Sequence, residues 1–281
     1  MKIDAHHHIW DLKIHPQIWM EGNSFDPIRN NFLMNDLREQ LDETEIKKTI
    51  LVQTVKNFDE TPYLLDLAST DQMIAGVVGF LAMGSEDAMS HLDHYQSLPS
   101  GNKLVGIRDL AHDYSDPDFL SQPQVIKNCR ELGKRGLVYD ILTRTPQLRA
   151  GIELAKSCPE VTFVLDHISK PDIVQGITEP WREMMRELGS LPNVYCKVSG
   201  MITEADWVNW KTQDFIPYFD VVLESFGPSR LMYGSDWPVA LLAGKYKDVI
   251  TLAEDLTKSF SPSENQSFWS DAAVKAYSLQ L

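Results

Sequence analysis

Three cysteines in 281 residues, Cys129, Cys158 and Cys196, are too few for a disulfide framework, and no Cys-x-x-Cys pair offers zinc a thiolate site. Cys129 falls in a helical pattern and Cys196 in a strand pattern, so both read as small core residues. Basic residues are scarce too: 26 Lys and Arg stand against 40 Asp and Glu, a formal net charge of -14. A field of that sign repels phosphate backbones and anionic lipid, which argues against nucleic-acid and membrane partners. No apolar run reaches membrane-spanning length and the first residues hold no apolar signal core, so a reducing cytoplasm is the expected location. No low-complexity tract or Gly-, Ser- or Pro-rich linker divides the chain, and no Gly-rich phosphate loop follows its first apolar run.

What is present is alternation. Hydrophobic residues make up 43%, enough for a large core. Eight short β-rich runs, over 2–8, 49–55, 74–81, 103–108, 136–141, 161–166, 194–199 and 230–235, are separated by amphipathic helical stretches. Several runs are almost continuously apolar, as parallel strands covered on both faces must be. Thr61-Pro62, Ser85-Glu86-Asp87 and Thr145-Pro146 read as capping hydroxyls ahead of apolar helix faces. Strand and helix repeated eight times predict a closed (β/α)8 TIM barrel forming one domain over 1–281, with an open doubly wound sheet as the alternative. The stretch 9–48 is too long for one loop and helix. It carries Trp10, Trp19 and a helical pattern near 35–41, and is expected to decorate the barrel mouth. Phe268, Trp269, Ala272, Ala273 and Ala276 recur at helical spacing, predicting a C-terminal helix packed on the barrel.

The chemistry concentrates at strand ends. In Asp4-Ala-His6-His7-His8-Ile-Trp10, strand alternation turns His6 and His8 to one face and His7 to the other. Two imidazoles so placed can ligate one metal or flank one oxyanion. An expression tag is the bland reading, but the run lies inside an apolar strand rather than a Gly/Ser leader. The sixth run ends Phe163-Val-Leu-Asp166-His167-Ile-Ser-Lys170-Pro171. Asp166 and His167 have opposite parity, so only one is expected to face the barrel axis. His167 is the favoured site residue, because Ser-Lys-Pro breaks the strand at the mouth, where barrel active sites lie. The eighth run ends Met232-Tyr-Gly-Ser-Asp236-Trp237-Pro238. Asp236 is either a turn aspartate or a general base toward water.

Together Asp4-Ala-His6-x-His8-x-Trp10, Val164-Leu-Asp-His167-x-x-Lys170-Pro171, Lys197-Val-Ser-Gly200 and Tyr233-Gly-Ser-Asp236-Trp-Pro238 resemble the amidohydrolase superfamily. Within it they are similar to the lactonase-type group of L-fuconolactonases, L-rhamnonolactonases and pyrone-dicarboxylate lactonase. The motifs run from the first strand to the last. The resemblance implies a hydrolase that opens a sugar lactone to the hydroxy acid. Asp236 would activate water, and a metal on His6 and His8, or the histidines with Arg108, would stabilise the oxyanion. His167 would orient water or carbonyl, or protonate the leaving alkoxide. The wider family pattern has Lys or Glu on strand four and His on strand five; this chain has Arg108 and Asp140 there. That departure speaks against a two-metal site. It leaves His6, His8, His167 and Asp236 to hold one weakly bound divalent ion such as zinc, with metal-independent activity equally open.

The remaining pocket residues are Arg108, Gln53, Asp140, Lys197, Trp10 and Trp237. Arg108 offers a forked cation to a substrate carboxylate, hydroxyl pair or carbonyl, or else an ion pair to Asp140 or Asp109. Asp140 accepts sugar hydroxyls or holds Arg108. Gln53 and Lys197 sit in apolar strands and need polar partners, a carboxylate in the case of Lys197. Trp10, Trp237 and Trp207 suit a sugar face or plain packing at the mouth. A metal-dependent decarboxylase of the same superfamily is the alternative activity. A non-catalytic carbohydrate-binding barrel is a third, weakened because a binder needs no water-activating carboxylate. The expected partner is a small lactone, with the chain as monomer or homodimer.

Overall fold

Eight parallel strands stand in sequence order in the computed structural model, which describes residues 1–281: β1 (Lys2–His7), β2 (Ile46–Val52), β3 (Ile74–Phe80), β4 (Leu104–Asp109), β5 (Val138–Ile141), β6 (Phe163–Leu165), β7 (Val194–Val198) and β8 (Leu231–Tyr233). The ring closes just past β8. Asp236 N donates to His6 O at 2.8 Å and His8 N to Trp237 O at 2.7 Å. Outside the strands run α1 (Met34–Leu41), α2 (Glu60–Thr70), α3 (Ala88–Ser97), α4 (Pro123–Lys134), α5 (Thr145–Ser157), α6 (Trp181–Gly189), α7 (Thr212–Phe226) and α8 (Tyr246–Leu256), followed by α9 (Pro262–Gln266) and α10 (Ala272–Tyr277). This is the expected (β/α)8 barrel, with all eight runs realised as strands. β2 starts three residues before its run because Lys47 and Lys48 at the strand's outer rim interrupt its apolar signal. No helix is long and apolar enough to cross a membrane.

Alternation along each strand builds two apolar layers. Leu51, Val77, Ile107, Tyr139, Phe163 and Cys196 face the surrounding helices. Ile3, Ala5, Ile50, Val52, Val78, Val138, Val164, Tyr195 and Met232 fill the interior. Each fully buried aliphatic side chain contributes about 1.5–3 kcal/mol. The inner layer continues into the C-terminal helix: Ala272, Ala273, Ala276 and Tyr277 of α10 pack directly on it and plug the amino-terminal end of the barrel. The predicted capping hydroxyls are not caps. Thr61 lies within α2, and its Oγ1 accepts from Phe80 N at 2.9 Å, tying helix to strand. α3 starts after Asp87, and Thr145 is already the first residue of α5. The long segment after β1 folds over the mouth around a small core of Trp10, Met20 and Ile28.

Candidate active site

β1 does not run evenly. Its register against β2 shifts between Asp4 and His7, and the buried Asp4 carboxylate pins the irregularity. It accepts from His6 N at 3.1 Å, Ser235 N at 2.9 Å and Tyr246 OH at 2.8 Å, joining the first strand, the loop after the last and α8. His6 and His8 then face the barrel mouth. His7 turns away to Thr49 Oγ1 at 2.9 Å.

At β6 the parity expectation fails, because both Asp166 and His167 reach the interior. The strand stops at Leu165, and four successive non-glycine residues, His167 (φ 52°), Ile168 (φ 47°), Ser169 (φ 60°) and Lys170 (φ 45°), turn left-handed. Such a backbone costs about 1–2 kcal/mol per residue. It is held by Trp181 Nε1 donating to Ile168 O at 2.7 Å, by a Thr143–Ser169 hydroxyl pair at 2.8 Å and by His167 Nδ1 against Ser199 Oγ at 2.9 Å. Asp236, also left-handed at φ 56°, enters from the other side.

These turns bring four distant side chains together. Asp236 Oδ1 lies 3.3 Å from His8 Nε2, 3.7 Å from His6 Nε2 and 3.8 Å from His167 Nε2. The His6 and His8 Nε2 atoms are 3.2 Å apart. His8 Nδ1 faces the carbonyl of Val52 at 2.7 Å, and a carbonyl only accepts, so Nδ1 carries a proton while Nε2 points into the site. Burial drives the His6 and His167 imidazoles well below their usual range, leaving them neutral. Burial pushes the Asp236 carboxyl up, but its contacts with His167 and His8 and the nearby Lys170 ammonium outweigh this and keep it below its usual range.

Ligand atoms of His6, His167 and Asp236 all lie within 4.8 Å of one another. Imidazole nitrogens and a carboxylate oxygen are a zinc donor set, each needing to approach the ion to about 2.0–2.2 Å. Asp166 supplies a further test of fit. Its Oδ1 is buried, 3.2 Å from His6 Nδ1 and 3.0 Å from Lys197 Nζ. Accepting a proton held on Nδ1, it would free the His6 Nε2 lone pair for a cation, the usual support of a metal-binding histidine. The residues therefore fit one divalent ion.

Above them opens a cavity of about 160 Å³, lined by His8, His167 and Asp236 with Arg108, His112 and Lys170 among others. Arg108 is bound to Asp166 Oδ2 at 2.9 Å and donates to Gln53 O at 2.5 Å, while its Nη1 stands 3.4 Å from His6 Nε2. Gln53 is buried and its amide nitrogen donates to Arg108 O at 3.3 Å. Asp140 and Lys197 lie one layer lower, paired at 2.6 Å. Trp10 and Trp237 are buried edge-on against Phe32, and it is Trp19 that reaches the cavity. Trp207 borders a neighbouring cleft with Arg144 and Glu204. His112 escaped the sequence reading. It follows β4 by three residues in the turn Ala111–Asp113, and a histidine just beyond the carboxyl end of a barrel strand was the available signal. Burial, with Lys170 and Arg108 nearby, holds it neutral.

The chain is similar to known proteins over almost its whole length. An amidohydrolase family model matches residues 3–279. An L-fucono-1,5-lactonase of Burkholderia ambifaria is 35% identical over 250 residues, 88% of this chain and 83% of that protein. An L-fucono-1,5-lactonase of Burkholderia multivorans is 31% identical across 99% of this chain and 96% of its own length. The crystal structure of a Burkholderia multivorans amidohydrolase with bound zinc superposes with a TM-score of 0.93 at 31% identity, covering 100% of both chains.

Proposed function

The chain belongs to the amidohydrolase family, and from that premise we propose that it hydrolyses a neutral sugar lactone, opening the cyclic ester to the hydroxy acid. The observation that carries the reading is Asp236: an ionised carboxylate on the wall of a cavity, 3.3–3.8 Å from three imidazole nitrogens. Its lone pairs can take a proton from water while the water oxygen bonds to the lactone carbonyl carbon. The carbonyl oxygen gains charge, and the Arg108 guanidinium stands at the cavity to meet it. The ring C–O bond then breaks, and the departing alkoxide takes a proton delivered through His167, whose Nε2 lies 3.8 Å from the Asp236 oxygen. A divalent ion held by His6, His8, His167 and Asp236, zinc by analogy with the zinc-bound relative, would supply Lewis-acid charge at the developing oxyanion.

The preference for a neutral substrate rests on charge pairing. Both cations lining the cavity already have a carboxylate partner, Arg108 in Asp166 and Lys170 in Glu204 at 2.8 Å, so neither brings an unbalanced charge that a substrate carboxylate would need, although Arg108 can still donate a hydrogen bond. L-Fucono-1,5-lactone is the first compound to try, since relatives sharing a third of the sequence are named for it. In a pH-indicator assay over an aldonolactone panel, wild type should turn over at least one member. Asp236→Asn should lose about 10²–10⁴-fold in kcat with its circular dichroism unchanged. Full activity in that variant removes Asp236 as the base, and a silent panel with wild type removes the lactonase reading.

A further inference from the structure

The C-terminal helix does more than seal the barrel. Tyr277, in the last turn of α10, enters the interior, and its hydroxyl donates to the Asp140 carboxylate, 2.8 Å from each oxygen. Asp140 Oδ2 accepts from Lys197 Nζ at 2.6 Å. The ammonium also lies 3.0 Å from Asp166 Oδ1, the atom that faces the His6 Nδ1 proton, and 3.2 Å from His6 Nδ1 itself. His6 is the imidazole against which His8, His167 and Asp236 are all placed. A chain of hydrogen bonds thus runs from the last helix, through strands five and seven, to the first strand's site histidine.

We propose that Tyr277 is a positioning residue, acting through Asp140 and Lys197 to fix the ring orientation of His6. The geometry leaves little alternative use for these groups. Asp140 and Lys197 are fully buried below the cavity, so neither touches a substrate there. The Lys197 ammonium can hold Asp166 Oδ1 against the His6 Nδ1 proton only while another of its own protons is directed at Asp140, and the Tyr277 hydroxyl sets the direction of Asp140. Without that hydroxyl the Asp140 carboxylate can rotate, the ammonium follows it, and Asp166 Oδ1 is no longer held against His6 Nδ1.

Tyr277→Phe keeps the ring that plugs the barrel and removes only the hydroxyl. With a lactone substrate, kcat should fall about 10-fold while KM stays within about twofold, the behaviour of an outer-shell partner of a site histidine. Ring-nitrogen NMR of histidine-labelled protein should show the His6 Nδ1 resonance displaced and that of His7, which faces Thr49, unmoved. The kinetic arm rests on the lactonase reading above and the NMR arm does not, so an inactive wild type would sink that reading while the spectra still decide this one. If Tyr277→Phe fails to fold, Asp140→Asn breaks the same chain at nearly constant volume and should displace the same resonance. A folded variant of either kind with the wild-type His6 resonance and kcat overturns the proposal.

Discussion

At the mouth of the barrel His6, His8, His167 and Asp236 meet with lone pairs to spare, whereas one layer lower Asp140, Asp166, Lys197 and Tyr277 meet with nearly every donor matched to an acceptor. Both groups are buried and rich in titratable side chains. The floor is charge-balanced: two carboxylates face the Lys197 ammonium and the Arg108 guanidinium. The mouth is not, since one carboxylate faces three imidazoles, two of which burial leaves neutral. Buried polar groups are normally satisfied, so a saturated cluster is support and an unsaturated one marks where a proton, cation or substrate is meant to arrive.

The largest effect that could break this contrast is on stability, and it lies at the floor. Lys197→Met leaves Asp140 without its cation and Asp166 with Arg108 alone, and should cost about 3–5 kcal/mol in urea unfolding at neutral pH. The loss should be smaller near pH 5, because burial already pushes the Asp140 carboxyl up to about 6 and protonation would relieve the orphaned charge. Asp236→Asn, an equally buried substitution at the mouth, should leave unfolding almost unchanged. If the two variants lost stability alike, the two layers would not differ in kind.

That contrast was only half legible in the sequence. The strands, their order and the approach of His6, His8, His167 and Asp236 followed from apolar periodicity and from motifs at strand ends, because the barrel forces every strand terminus toward one mouth. The strand-by-strand assignment also marked Arg108 and Asp140 as pocket candidates, and Lys197, like Gln53, as a polar group in an apolar strand. Periodicity says which face a residue takes but not its depth, so the sequence could not show that Asp140 and Lys197 pair with each other beneath the cavity. Asp166 was misjudged for a related reason: strand parity ends where the strand does, and the left-handed turn at His167 brings both neighbours inside. Tyr277 carried no signal, since a tyrosine on the apolar stripe of a terminal helix looks like packing until its hydroxyl is placed.

A second effect, smaller and pH-dependent, sharpens the boundary between the layers. Glu60 is buried beneath the mouth, and its carboxylate is held by Thr54 N, Thr54 Oγ1 and Val55 N rather than by a cation. Burial raises it from 4.5 to about 7. The folded protein therefore binds a proton there that the unfolded chain has released, so this contribution to stability is complete below 4.5 and is lost as pH rises through 7. At 1.36 kcal/mol per unit the difference amounts to about 3 kcal/mol. The depressed imidazoles of His6, His7 and His167 act in the opposite direction over the same range, so the measurement is a difference. Glu60→Gln should gain on wild type by about that amount in unfolding experiments between about pH 4.5 and pH 7. A constant gap across the range would mean the carboxyl titrates normally.

The smallest stability effect tests how the mouth is held in place. The floor is fixed by charge, whereas His167 is fixed by space. Gly200 sits at φ 59°, and a Cβ added there would come within 2.6 Å of His167 Nδ1, the atom that meets Ser199 Oγ at 2.9 Å. Gly200→Ala should cost about 1–2 kcal/mol from the left-handed backbone. The same methyl has nowhere to go except into the imidazole, and a displacement of about 1 Å at a reacting group can lower turnover by about 10²-fold. A small stability loss joined to a large loss of kcat is what a residue that shapes the mouth should give, and urea unfolding with lactone kinetics on one preparation reads both. If turnover survived, the His167 ring would have room to move without consequence, and its place opposite Asp236 would owe nothing to the missing side chain at position 200.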